Sequence, residues 1–78
     1  MTAYELMFHK ALIDLQSRYK SGAFEYIRNK YPEFQARLND LHEKLAEAWK
    51  QDDVMVFREA LKRWYSLMRR ALEGFGGV

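Results

Sequence analysis

A chain without cysteine must draw any nucleophile, base or metal ligand from its hydroxyls, amines, imidazoles and carboxylates. Ser17, Ser21 and Ser66 have no surrounding signature of an activated nucleophile. His9 follows Glu5 by four positions, and such an i,i+4 pair on a helix is ordinarily a surface contact. His42 lies outside the apolar stripe of its segment. There is no His-Glu-x-x-His, no Glu-x-x-His and no glycine-rich phosphate loop, so neither metal nor phosphate chemistry has its usual scaffold. The expectation is a non-enzyme with no catalytic residue, no cofactor and no metal.

Two other sets of residues point to binding. At about 100° per residue, Arg58, Lys62 and Arg69 fall within a stripe of ~40°, with Tyr65 beside them. Such a row can neutralise phosphates while the tyrosine stacks on a base. Arg63 and Arg70 form a second row ~100° away. Glu59, Ser66 and Glu73 lie between the rows. Acids inside the footprint weaken a nucleic-acid reading. Glu59 can pair with Lys62 and Arg63, Arg69 and Arg70 suit the C-terminal end of a helix dipole, and basic stems cover the edge of an apolar face. Accessory nucleic-acid binding through Arg58, Lys62, Tyr65 and Arg69 is therefore the alternative expectation. A helix-turn-helix reading with its recognition helix starting at Glu33 fares worse. That helix would carry Asp40, Glu43 and Glu47 towards the phosphates, where acids are repelled.

The second set is apolar. Leu6 and Ile13 are seven residues apart and so share one side of a helix, ~150–180° from its main apolar face. An outer helix of a monomeric bundle needs one apolar face. Isolated surface aliphatics are common, and a short neighbouring helix folding back over the pair would also account for it. The leading expectation is that Leu6 and Ile13 form a protein interface, with a second copy of the chain or with a partner protein.

These residues must be positioned by helices, because no stretch alternates with period two. The first segment, about residues 3–20, opens on the capping-box pair Thr2 and Glu5. Its apolar face is Tyr4, Phe8, Ala11, Leu12, Leu15 and Tyr19. Ser21 and Gly22 interrupt the pattern, Gly22 as a helix stop or Ser21 as the next cap. A short helix of about residues 23–30 carries Phe24 and Ile27. Pro32 excludes Tyr31 from the helical region and fits the first turn of the next helix. The third segment, about 32–50, has the face Phe34, Leu38, Leu41, Leu45, Ala48 and Trp49. Both Trp49 and Trp64 are expected in the core. Asp52 or Asp53 can cap the last helix, about 53–73, whose wide face runs from Phe57 to Leu72 and stops at Gly74.

Seventy-eight residues, 49% of them hydrophobic, make one domain. The fold expected is an all-α bundle of three long helices and a short connecting one. Short connections make the third and fourth helices an antiparallel hairpin, with the first packed across it. A chain of this mass buries only about 63% of its unfolded surface, so as a monomer it is marginal and an additional interface would help. The net charge of +2 does not by itself call for nucleic acid. With no signal segment, no apolar run near the ~18 residues of a membrane span and no cysteine, a cytoplasmic location without membrane association is expected.

Overall fold

A computed structural model describes residues 2–19, 22–30 and 32–74 of the chain. It is an all-α bundle of α1 (Ala3–Arg18), α2 (Ala23–Lys30), α3 (Pro32–Lys50) and α4 (Val54–Gly74), with no strand among the described residues.

Helix ends follow local chemistry. The Glu5 N–H donates to Thr2 Oγ1 at 3.2 Å, satisfying one orphan donor of the first turn. The Glu5 carboxylate instead meets the Thr2 hydroxyl at 3.4 Å, so half of the capping box forms. α1 ends at Arg18, where Tyr19 turns extended at φ −127° and ψ 156°. That is earlier than the expected residue 20, which lies outside the described residues, as do the boundary residues Ser21 and Tyr31. Gly22 sits at φ +91°, a conformation that favours glycine. Its carbonyl accepts from the Tyr26 N–H at 3.0 Å, so it opens α2 and does not close α1. Pro32 takes the first position of α3, where its missing N–H costs nothing.

Both aspartates of the α3–α4 connection have a role, and the roles differ. Asp52 adopts φ 54°. Its N–H donates to the Trp49 carbonyl at 3.1 Å, and the Asp53 N–H donates to the Ala48 carbonyl at 2.9 Å. This pair of bonds is the Schellman closure, with an aspartate where glycine is usual. Asp53 then caps α4, accepting from the Val56 N–H at 3.2 Å.

α4 is the central element. Ring contacts of Tyr4 with Phe57 and of Phe8 with Trp64, and hydrogen bonds of Asp14 with Tyr65 and of Tyr19 with Glu73, advance together along both helices. α1 therefore runs in the same direction as α4, with α3 antiparallel to both, and it packs on the hairpin chiefly through α4. The larger core cluster joins Leu15, Ile27, Leu38, Trp64 and Leu72; a smaller one joins Leu45, Ala48, Phe57 and Ala60. α2 packs against α3 and α4 and inserts Ile27, 1% exposed, into the larger cluster. α2 thus closes one end of the bundle and leaves the outer side of α1 uncovered.

Trp64 is buried as expected, but Trp49 is 42% exposed, which corrects its assignment to the core. It lies on the apolar stripe of α3, yet what stands opposite the last turn of that helix is Tyr4 of α1. The two rings stack at 6.3 Å with 24° between their planes, leaving one face of the indole open.

Candidate interaction surfaces

The outer face of α1 carries Leu6 at 44% and Ile13 at 49% exposure. They lie seven positions apart on a regular helix, so they project together, and no described element covers them.

A second apolar surface lies where α1 begins, α3 ends and α4 begins. Val54, Met55 and Val56 are 45%, 73% and 49% exposed, and Trp49 is beside them in the chain order of the hairpin. The sequence does carry this signal. Three consecutive apolar residues on a helix point ~100° apart, so they cannot all face one core. Between α1 and α3 a cleft of about 390 Å³ is lined by Tyr4, Phe8, Trp49 and Phe57, with His9 and His42 at its polar edge. Periodicity missed this cleft because it depends on how far α1 stands from α3.

Three phenol–carboxylate hydrogen bonds fasten α1 in place. Tyr4 donates to Asp52 at 2.6 Å, Tyr65 donates to Asp14, and Tyr19 donates to Glu73 at 3.3 Å. The bond to Asp52 holds the proton on Tyr4, and burial and the charges of Asp52 and Asp53 add to it, pushing the Tyr4 hydroxyl up from 10.0 to about 12. The Tyr65 hydroxyl is raised by its bond to Asp14. That bond, helped by Arg18 at 3.2 Å, holds the Asp14 carboxyl below its ordinary value.

This seam redistributes the basic stripe. Tyr65 is half-buried against the larger core cluster, with its hydroxyl committed to Asp14. Arg69 donates to Glu73 at 2.9 Å, and this bond raises its already high pKa. Lys62 shares its side of α4 with Arg58 and Arg69 but leans towards the α3–α4 groove, which it lines with Arg63 and Arg70. Arg58 remains exposed. The four residues singled out for nucleic acid are thus not a single open row. Glu59 forms no ion pair with Lys62 or Arg63, although it lines a hollow with Lys44 and Arg63.

Comparison with family models, with curated proteins and with solved structures found no match.

Among the described residues, no three histidine, aspartate or glutamate side chains converge to hold a metal ion. No helix among them is long and apolar enough to cross a membrane. What the geometry offers chemically is apolar surface on two sides and an uneven distribution of charge.

Proposed function

We propose that this protein is a non-enzymatic helical interaction module that acts in the cytoplasm and self-associates through the outer face of α1. The carrying observation is the exposure of Leu6 and Ile13, at 44% and 49%, on a helix whose opposite face is already committed to α4. Antiparallel pairing of two α1 helices about a two-fold axis sets Leu6 of one protomer against Ile13 of its partner, and the reverse. Such self-complementarity is what a closed dimer requires. Charged and polar neighbours such as Lys10 and Gln16 would form the rim.

Sedimentation velocity tests the reading. The wild-type chain is expected to sediment as a dimer at micromolar concentration. Leu6→Glu combined with Ile13→Glu is expected to give a monomer with unchanged helical circular dichroism, since both side chains are removed from the core. A wild-type monomer throughout the concentration range would overturn self-association.

Nucleic-acid binding through Arg58, Lys62, Tyr65 and Arg69 draws less support, because Tyr65 and Arg69 are engaged within the fold.

A further inference from the structure

The side of the bundle away from α1 holds a groove of about 700 Å³ between α3 and α4. Its walls are cationic. Arg37 and Lys44 rise from α3; Lys62, Arg63 and Arg70 rise from α4. The acid among them, Asp40, is bridged to Lys44 at 3.6 Å. Its floor is apolar, with Leu41 and Leu67 between the two walls. Towards the start of α4 the seam continues as a further hollow of about 190 Å³ lined by Lys44, Arg63, Ala60 and the exposed Val56, with Glu59 as a second acid at this end. From Val56 to Arg70 the groove runs roughly 21 Å at ~1.5 Å per residue, the length of about four helical turns.

We infer that this groove is the docking site for an acidic amphipathic helix of a partner protein, laid along α3 and α4 as a further helix of the bundle. The argument is complementarity. An apolar floor between two cationic walls is the negative of a helix with an apolar stripe flanked by carboxylates. The cations steer such a segment and fix its register, while the floor takes its apolar side chains. Single-stranded nucleic acid fits less well, because its binding sites combine cations with aromatic stacking platforms, and no aromatic residue lines this groove. A duplex is broader than the space between adjacent helices. A second copy of the chain does not supply the occupant either. The apolar pair Leu6 and Ile13 is edged by Lys10, which would be repelled by the cationic walls. The site is separate from α1, so it does not depend on self-association.

Fluorescence anisotropy with labelled synthetic peptides tests the inference. The probe is a helical peptide with a leucine stripe flanked by glutamates. Its controls carry lysines in place of the glutamates, or glutamates with no leucine stripe. Binding of the probe is expected, weakening as salt rises, with at least tenfold weaker binding of either control. Arg63→Glu with Arg70→Glu is expected to weaken the probe by tenfold or more. Arg63→Gln with Arg70→Gln should weaken it less, and Arg58→Glu, outside the groove, should leave it unchanged. Circular dichroism confirms that each variant is folded. The double variant Leu6→Glu, Ile13→Glu is expected to bind as wild type does, which separates this site from the α1 interface. Absence of probe binding, equal binding of the lysine peptide, or equal loss in Arg58→Glu would overturn the inference. So would tighter, groove-dependent binding of a single-stranded oligonucleotide.

Discussion

A tyrosine hydroxyl beside a carboxylate is a bond whose strength depends on both protonation states, and at Tyr4, Tyr19 and Tyr65 this fold uses such bonds between residues far apart in the chain. At Tyr4 the sign is that of a raised pKa. The bond to Asp52 contributes fully below the unfolded value of 10.0 and is lost as pH climbs through the folded value of about 12. Ultraviolet difference titration of the native protein should therefore show a tyrosine ionising late, near 12, and Tyr4→Phe should remove that step. At Asp14 the sign reverses. Its folded pKa is depressed, first by the Tyr65 hydroxyl, so the stabilisation is present above 3.8 and disappears as pH falls through the lower folded value. Tyr65→Phe should then be less stable than wild type at neutral pH by a margin that shrinks in acid. Urea denaturation at a series of pH values measures that margin; a constant difference would mean that the hydroxyl acts through packing alone. None of these bonds was legible in the sequence. Tyr4 and Tyr19 show in the helical pattern only as members of an apolar face and Tyr65 only as a neighbour of the basic stripe, and nothing in a periodicity names the carboxylate that a phenol will meet fifty or so residues away.

Helices were legible where the determinant is local. Pro32 at the head of α3, an aspartate cap on α4 and a break at Gly22 all depend on a few adjacent residues, and they occur within a residue or two of where the pattern placed them. What the pattern left open was which aspartate caps. Asp52 is drawn into left-handed backbone to close α3, which leaves Asp53 for α4. Asp53→Ala should accordingly cost about 1 kcal/mol by urea denaturation, with Asp53→Asn costing far less because an amide oxygen caps nearly as well. Packing between elements was less legible. Trp49 has the right angle on α3 for burial and is still half out, because α1 stands off from α3 and only the Tyr4 ring reaches it. Leu6 and Ile13 stay exposed for a related reason: α2 turns the other way. Ile27 fills the space among Leu15, Leu38, Met68 and Leu72, and Ile27→Ala should cost roughly 2–4 kcal/mol in the same assay. A loss below ~1 kcal/mol would show that α2 is held by its connections and not by this side chain.

The molecule as a whole is asymmetric end to end and side to side. α2 closes one end with buried Ala23 and Ile27, while the other end carries the exposed Val54, Met55 and Val56. One side presents the apolar outer face of α1 and the other a cationic groove. For so small a bundle, with limited surface to bury internally, contact with a second copy would alter measured stability directly. If the dimer is the folded species, thermal unfolding becomes concentration-dependent. Each tenfold rise in protein concentration then adds ~0.7 kcal/mol per chain, half of the ~1.4 kcal/mol that a factor of ten represents. In a domain of this size that raises the melting temperature by roughly 3–5 °C. The melting temperature of Leu6→Glu, Ile13→Glu should be independent of concentration and should match the wild type at its most dilute. Met55→Glu decides whether the open end takes part. Among the described residues Met55 is the most exposed of the large apolar side chains at 73%, but it lies on α4 and not on the outer face of α1. Its substitution should leave the concentration dependence of the wild type intact. If Met55→Glu abolishes that dependence and the α1 double variant preserves it, the contact belongs to the hairpin end, and α1 merely carries two surface aliphatics.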